Sequence, residues 1–230
     1  MSVADNVRHA RERIAAACVR ASRSVAEVRI VAVSKTQPAS AVSDAVAAGV
    51  DAIGENRVQE GAGKRPLVSG VTPWHLVGTL QRNKVRQAME VFDLVETVDR
   101  IELADRLQLQ LGPSGRTLPV FFEVNVGGEA QKGGVRPEGL MPLVDHVLAR
   151  CPRLSPAGLM TVPPYDPDPE RSRPHFVALR ELASRLARQF DLPSLDLSMG
   201  MSEDFEVAIE EGATWVRLGR ILFGERRGGI

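Results

Sequence analysis

Lys35 is the residue whose position in this sequence most strongly indicates chemistry. It follows the short apolar run at 29–34, which predicts a buried strand, and the Thr-Gln-Pro after it predicts a loop leading into a helix. In α/β barrels and open α/β sheets, the active site lies at the carboxyl ends of the strands. Lys35 is therefore a candidate nucleophile for a Schiff base with an aldehyde, and a lysine that reaches out to solvent is the alternative.

Two segments near the carboxyl terminus predict a phosphate-binding site. In the run Ser-Met-Gly-Met-Ser at 198–202, Gly200 allows close approach of the backbone, and Ser202 suits the N-cap of a helix over 202–211. In Arg-Leu-Gly-Arg at 217–220, Gly219 allows the same close approach. The loops after strands seven and eight of a closed barrel often bind phosphate through backbone N–H groups. Taken alone, a helix cap at Ser202 and an ordinary turn at Gly219 are the simpler explanations.

The kind of ligand can be predicted from the groups that come together, which are a lysine, a phosphate-binding site and an arginine. If strand eight lies beside strand one, Lys35 and Arg217 are neighbours although nearly the whole chain separates them. A phosphorylated aldehyde held as a Schiff base on Lys35 fits this set, and pyridoxal phosphate is the obvious candidate. Asn56, after the second predicted strand, offers a donor and an acceptor to a planar polar ligand, or else caps a helix.

Short apolar runs alternate with helical patterns along the whole chain. The predicted strands span residues 29–34, 52–54, 74–77, 94–97, 118–124, 154–160, 195–197 and 215–218. The predicted helices span residues 3–22, 40–48, 84–89, 100–111, 137–150, 169–189 and 202–211. Such alternation favours parallel strands with helical crossovers. We predict an α/β fold in which residues 1–230 form a single (β/α)8 TIM-type barrel domain with an extra N-terminal helix; a doubly wound open sheet is the alternative.

The composition excludes some classes of function. Lys+Arg 29 balances Asp+Glu 29, so no basic field favours nucleic acid as a partner. The amino terminus has no apolar signal core and no apolar run approaches a membrane span, so we expect a cytoplasmic protein with no membrane partner. The two cysteines are expected to be reduced, packed thiols, and the four histidines to form no metal-ligand set. The segments 61–64 and 226–230 are expected to be solvated.

Several ordered motifs resemble the pyridoxal phosphate homeostasis protein family. They are Ala-Val-Ser-Lys-Thr at 32–36, Gly-Glu-Asn at 54–56, the run at 74–84 and Leu-Ser-Met-Gly-Met-Ser at 197–202, extended by 158–160 and 216–224. The resemblance covers residue 29 to the end and implies a fold like the barrel domain of alanine racemase. It further implies an internal aldimine on Lys35, with Arg217 facing the pyridine nitrogen. The resemblance assigns the phosphate to Gly200, Ser202 and Gly219 and places Asn56 beside the cofactor. Arg57 stands where the family commonly has an aromatic residue.

The resemblance favours a protein without significant catalytic activity that binds pyridoxal phosphate reversibly, buffers it and hands it to apo-enzymes. An amino-acid racemase is the alternative, and it needs a base on each face of the substrate, of which Lys35 supplies one. Tyr165, the only tyrosine, lies in a Pro-rich loop and is expected to be a surface residue rather than the second base. A barrel enzyme with an aldolase-type lysine follows from fold analogy alone, with His75 as its base or, more simply, as a hydrogen-bonded core residue. We expect a monomer or weak dimer.

Overall fold

Eight parallel strands form a closed barrel in the computed structural model, which describes residues 2–224. The strands are β1 Arg29–Val33, β2 Ala52–Glu55, β3 Trp74–Leu76, β4 Leu94–Val98, β5 Leu118–Glu123, β6 Leu154–Met160, β7 Asp196–Ser198 and β8 Trp215–Leu218. All eight predicted strands are present, and every predicted end lies within one residue of the observed end. The (β/α)8 prediction is confirmed, and the open-sheet alternative is wrong because β1 and β8 pair with each other.

The register of the closing pair brings the two ends of the chain together. Val31 lies opposite Arg217 and Ala32 lies opposite Leu218 in the parallel ladder. Lys35 follows β1 and Gly219 follows β8, so both lie at the carboxyl end of the barrel. Closure therefore creates the neighbourhood of Lys35 and Arg217 that the sequence predicted.

Helices surround the barrel. They are α1 Val3–Arg20, α2 Ala39–Ala47, α3 Val58–Lys64, α4 Val85–Val91, α5 Ile101–Leu111, α6 Pro137–Arg150, α7 Arg173–Phe190, α8 Phe205–Glu210 and α9 Arg220–Phe223. The extra N-terminal helix is α1, which starts with a reciprocal capping box between Ser2 and Asp5. It buries an apolar stripe that includes Val7, Ile14 and Cys18.

Three expectations about helices and loops need correction. Residues 61–64 are not a solvated loop, since they form the second half of α3 and Gly61 packs beneath the ring of Phe92. The last helical segment before β8 begins at Phe205 rather than at 202. The long helix predicted from 169 begins with a 3₁₀ turn, Pro169–Ser172, before α7. The predicted solvated tail at 226–230 lies outside the described residues.

Apolar side chains fill two regions separated by the sheet. The larger lies between strands and helices, and the smaller lies inside the barrel with members such as Val31, Leu94, Phe121 and Trp215. Strand residues alternate between these two regions, as a pleated sheet requires. Towards the carboxyl ends the interior turns polar, and this is where the candidate site lies.

Among residues 2–224, no helix is long and apolar enough to cross a membrane. Both cysteines, Cys18 and Cys151, are free and buried, as expected.

Candidate functional site

A cavity of about 720 Å³ opens at the carboxyl end of the barrel, and its walls come from both ends of the chain. The predicted site residues that line it are Lys35, Asn56, Ser202, Arg217 and Gly219. Gly200 is buried and is not among the residues that line the cavity. A volume of this size is typical of small-molecule sites.

Lys35 is half-buried, and the backbone just before it is anchored by a buried cluster of polar side chains. Ser34 donates its hydroxyl proton to Glu55 Oε1 at 2.6 Å. The Lys64 ammonium donates to the Ser34 carbonyl at 2.6 Å, to Glu55 at 2.7 Å and to Glu60 at 2.7 Å. Burial raises the pKa of Glu55 despite these contacts. We call Ser34, Glu55, Glu60 and Lys64 the lysine clamp.

The same clamp anchors the backbone on the other side of Lys35. Thr36 adopts a left-handed conformation with φ of 66°, which is costly for a β-branched residue. Its N–H donates to Glu60 Oε1 at 2.5 Å. The residues before and after Lys35 are therefore both tied to α3, so the clamp fixes the turn that carries the candidate nucleophile. Sequence reasoning missed this role of Lys64, and the signal available was Glu55, a carboxylate within an apolar strand.

Replacing Lys64 with Met tests the clamp. The Lys64 and Glu55 side chains are 12% and 0% exposed, so the variant leaves a buried carboxylate without its cation. We expect the free energy of unfolding at pH 8 to fall by about 3 kcal/mol. A buried carboxyl with a raised pKa lowers the free energy of unfolding only at pH values at which that carboxyl is ionised in the unfolded chain. The stability lost in Lys64→Met should therefore shrink as the pH falls towards 4.

Urea unfolding at pH 8 and pH 5 measures this effect, with Lys64→Met/Glu55→Gln as the matched control. The double variant removes the buried charge and should recover part of the lost stability. A Lys64→Met protein as stable as the wild type at pH 8 would show that the clamp does not hold the turn.

Arg217 is 4% exposed and lies in a buried polar network inside the barrel. Its guanidinium donates to Ser198 Oγ at 2.8 Å and to the Thr161 carbonyl at 2.7 Å. Its backbone N–H donates to the Gly200 carbonyl at 2.9 Å. Burial lowers the pKa of Arg217, and nearby carboxylates, Glu96 first among them, oppose that shift. With two acceptors fixed, the guanidinium has a defined orientation towards the cavity that it lines.

The network continues from Ser198 to the opposite wall of the barrel. Ser198 donates to Glu96 Oε2, and the other oxygen of Glu96 lies 2.8 Å from His75 Nδ1. Although burial opposes it, hydrogen bonding to His75 together with nearby Arg217 lowers the pKa of Glu96. The His75 ring also packs edge-on against Trp215, with ring centroids 4.9 Å apart. The core role expected of His75 is confirmed, and His75 lines neither of the two cavities described here.

Ser202 is not the cap of a helix. The N-cap of α8 is Asp204, which is buried and accepts from the Met201 N–H at 2.7 Å and from the Ser172 hydroxyl at 2.9 Å. These bonds keep residues 201–204 in a turn, so the helix cannot begin at Ser202. The Ser202 hydroxyl instead faces α9, where it accepts from the Ile221 N–H at 3.4 Å.

Gly200 and Gly219 have different structural roles. Gly200 has φ of 90°, and a Cβ there would lie 2.6 Å from the Ala208 Cβ and 2.9 Å from the Phe205 Cα. Its conformation and its tight packing both require glycine. Gly219 lines the cavity itself, and the nearest atom to an added Cβ would be the Val33 carbonyl oxygen at 3.4 Å. Packing alone does not require glycine at 219, whereas close approach of a ligand to the backbone would.

Asn56 lies between the main cavity and a smaller one, and it does not cap α3, whose N-cap is Arg57. Among the described residues, Asn56 Oδ1 is buried without a hydrogen-bond donor. A buried acceptor left without a donor is costly, so a ligand that donates there would be stabilised. Glu203 also lines the main cavity, and its carboxylate pairs with Arg220 at 2.7 Å.

The expectation that the histidines form no metal-ligand set stays a prediction, although one of them, His146, lies in a cluster of potential ligands. On α5, on α6 and just after α6, the side chains of Asp105, His146 and Cys151 bring their ligand atoms within 4.8 Å of one another. His146 Nε2 lies 2.6 Å from an Asp105 carboxylate oxygen. Burial and Asp105 raise the pKa of the Cys151 thiol to about 11. These residues are remote in sequence from one another, so spacing could not reveal the cluster. It lies on the outer helices, away from the cavity.

Known proteins share both the sequence and the fold. A family model described as the alanine racemase N-terminal domain matches residues 5–227. A protein of Aquifex aeolicus named pyridoxal phosphate homeostasis protein is 43% identical over 228 residues, covering 99% of this chain and 100% of that protein.

Two solved structures show the likeness in three dimensions. An unknown protein from Bifidobacterium adolescentis is 33% identical with a TM-score of 0.89, covering 96% of this chain and 94% of that one. PipY of Synechococcus elongatus PCC7942, solved with pyridoxal phosphate bound, is 36% identical with a TM-score of 0.80, covering 93% of this chain and 99% of that one.

The fold and the site define a class of protein, the (β/α)8 barrels of the alanine racemase N-terminal type. Within that class, 43% identity over nearly the full length of both chains identifies the family. The chain belongs to the pyridoxal phosphate homeostasis protein family, as its motifs indicated.

Proposed function

We propose that this protein binds pyridoxal 5'-phosphate as a Schiff base on Lys35 and serves intracellular cofactor homeostasis, buffering the cofactor and delivering it to apo-enzymes. One observation carries the proposal: a single cavity is lined by Lys35, Arg217, Ser202 and Gly219. The bound PipY structure supports the choice of cofactor.

The residues present fit this group. The cavity offers an amine at Lys35, a guanidinium at Arg217, a hydroxyl at Ser202 and open backbone at Gly219. The donor-free Oδ1 of Asn56 calls for a ligand that carries a hydrogen-bond donor. Gly200 contributes indirectly, because its carbonyl accepts from the backbone N–H of Arg217 and thereby sets the path of β8. We assign the cofactor site to Lys35, Asn56, Gly200, Ser202, Arg217 and Gly219.

Bound pyridoxal phosphate supplies an aldehyde for Schiff-base formation and an aromatic ring that can act as an electron sink. Arg217 would face the ring nitrogen. A guanidinium remains charged when desolvated more readily than other side chains and does not protonate a ring nitrogen as a carboxylic acid would. The contacts with Ser198 and Thr161 fix the orientation of the guanidinium, which supports that role. This arrangement weakens the electron sink and suits storage better than broad carbanion chemistry.

The racemase alternative depends on a second base. Tyr165 lines the main cavity but is 76% exposed in its Pro-rich loop, which is a poor position for orienting a proton transfer. We therefore propose that catalytic activity is not significant. Exchange of the α-proton of L- and D-alanine in deuterated buffer tests this, and exchange at enzyme-like rates that is lost in Tyr165→Phe would reverse the assignment.

Replacing Lys35 with Ala should remove the visible Schiff-base absorbance and weaken pyridoxal phosphate binding roughly a hundredfold, because the covalent bond to the protein is lost. The matched control is Lys84→Ala, since Lys84 lines neither of the two cavities described here. Absorbance and equilibrium dialysis measure both effects. An unchanged band and affinity in Lys35→Ala would contradict the assignment.

The proposal keeps three further predictions from the sequence: a cytoplasmic location, a monomer or weak dimer, and apo-enzymes that use pyridoxal phosphate as partners. Transfer is tested by mixing the loaded protein with such an apo-enzyme and following recovery of its activity. A rate that equals the rate of spontaneous release would show that delivery occurs through free cofactor.

A further inference from the structure

A second cavity of about 230 Å³ adjoins the main one and is lined differently. The two share Asn56, Val77 and Val162, so they are contiguous. The second cavity lies next to the carboxyl ends of β3 and β5, and its lining includes Thr79, Glu123 and Lys132. Neither Lys35 nor Arg217 lines it. Nothing in the proposed cofactor site uses this space apart from Asn56.

Glu123 is the unusual group in this cavity. It is the last residue of β5, is 9% exposed, and its Oε2 is buried with no hydrogen-bond donor among the described residues. A Cβ on Gly133 would lie 3.3 Å from that oxygen and 3.4 Å from the Thr79 hydroxyl. The absence of a side chain at 133 therefore leaves space beside the carboxylate. A buried carboxyl oxygen facing a cavity without a donor is a costly arrangement unless a ligand supplies one.

The cations near Glu123 are engaged elsewhere. Lys132 donates to the Pro163 carbonyl at 2.8 Å and pairs with Glu129. Arg100, after β4, pairs with Asp99 and donates to the Leu80 carbonyl.

Arg217, on β8, is held by Ser198 and Thr161. Glu96, on β4, adds a further negative charge on the same side. Glu123 Oε2 is thus an acceptor with cations in its surroundings but no donor among residues 2–224.

We propose that the second cavity is a binding site for the ammonium group of a small primary amine, with Glu123 as its counter-ion and the Thr79 hydroxyl as a further acceptor. An ammonium carries three N–H donors in a compact group and so matches a carboxylate at the wall of a small cavity. A guanidinium or a quaternary ammonium is larger and presents different donors or none. The site is a noncovalent one, and it stands whether or not Lys35 binds a cofactor.

The electrostatics give the site a pH dependence. Burial, reinforced by the charge of Asp99, raises the pKa of Glu123 to about 7, while Arg217 and Arg100 act in the opposite direction. Above that pH the carboxylate is ionised in the folded protein. Its cost to stability grows as the pH rises from about 4.5, where the unfolded chain ionises, to about 7, and is constant above that. A primary ammonium stays protonated over this range and would offset that cost. The amine should therefore bind about tenfold more tightly at pH 8 than at pH 6, in proportion to the ionised fraction of Glu123.

The test uses apo-protein and methylammonium chloride, with tetramethylammonium chloride at equal ionic strength as the probe that has the charge but no donor. Affinity is measured by the shift in Tm and by calorimetry at pH 6 and pH 8. Three proteins are compared: wild type, Glu123→Gln, and Glu138→Gln, which removes the same charge from an exposed position on α6. We expect methylammonium to bind wild type and Glu138→Gln with the tenfold pH effect and to lose at least tenfold in affinity for Glu123→Gln.

A second readout uses wild type alone, so it holds even if Glu123→Gln folds poorly. The carboxyl ¹³C shift of Glu123 is titrated with and without methylammonium, which should lower the pKa of Glu123 while tetramethylammonium leaves it unchanged. Equal binding of the two probes, equal binding at the two pH values, or an unmoved Glu123 titration would overturn the proposal.

Two larger probes identify the source of the amine. Tight binding of glycine would assign the site to free amino acids, and tight binding of Nα-acetyl-lysine methylamide would assign it to a lysine side chain of a partner protein. Pyridoxal phosphate binding to the wild-type protein is measured in parallel. If the wild type binds the cofactor but no amine, this inference fails and the proposed function stands. If the wild type binds amines but not the cofactor, this inference stands and the proposed function fails.

Discussion

Replacing Arg217 with Met should lower the free energy of unfolding by about 3 kcal/mol or more. The side chain is 4% exposed and donates to Ser198 Oγ and to the Thr161 carbonyl. Methionine fills much of the space but leaves those acceptors without their donor and removes the cation that faces Glu96. Binding of pyridoxal phosphate should weaken as well, since the orienting group in the cavity is gone.

Urea unfolding compares this variant with Arg86→Met, in which an 80% exposed arginine loses a loose pair with Glu90 at 3.8 Å. The exposed variant should change stability by about 0.5 kcal/mol or less. Arg217→Lys should fall between the two, because an ammonium keeps the charge but lacks the planar fork that reaches both acceptors. If Arg217→Met were no less stable than Arg86→Met, the buried network would not contribute to the fold.

Replacing Gly200 with Ala should cost about 2–4 kcal/mol, from left-handed strain and from overpacking together. The added Cβ would meet the Ala208 Cβ at 2.6 Å and the Phe205 Cα at 2.9 Å, and neither neighbour is a flexible side chain end. Relief requires the 198–202 run to move away from α8. That movement would displace the wall that carries Ser202, so pyridoxal phosphate affinity should fall too.

Gly212→Ala is the matched control for this prediction. Gly212 also has positive φ, 101°, but an added Cβ there meets only side-chain atoms, the nearest being Arg180 Cδ at 3.4 Å. It should show the strain of about 1–2 kcal/mol without the clash and should leave cofactor affinity unchanged. Thermal unfolding measures the stability of both variants. Equal losses of stability in Gly200→Ala and Gly212→Ala would show that the packing of Gly200 against Ala208 and Phe205 is not critical.

The strands and their order could be predicted from the sequence because they rest on local patterns. Eight short apolar runs separated by helical periods allow few topologies, and parallel crossovers in a chain of this length favour closure. Closure then made Lys35 and Arg217 neighbours without any further information. The family motifs supplied the remaining residues of the proposed site, which sequence patterns alone would have left as caps and turns.

The polar networks could not be predicted, because their partners are distant in the chain. Ser198 and Glu96 are 102 residues apart, and nothing local marks them as a pair. Lys64 was missed for a related reason: the glycines before it at 61 and 63 suggested a loop, whereas packing on Phe92 makes residues 58–64 a helix. The cap predicted at Ser202 was wrong because residues 201–204 form a turn, closed by the bond from the Met201 N–H to Asp204, and the helix begins only at Phe205.

Peptide mapping after borohydride reduction identifies the lysine that holds the cofactor. Wild-type protein is loaded with pyridoxal phosphate, reduced, digested and analysed by mass spectrometry for the lysine that carries the pyridoxyl group. We expect the label on Lys35 at close to one group per chain. A label spread over other lysines, or bound cofactor with no label on Lys35, would contradict it.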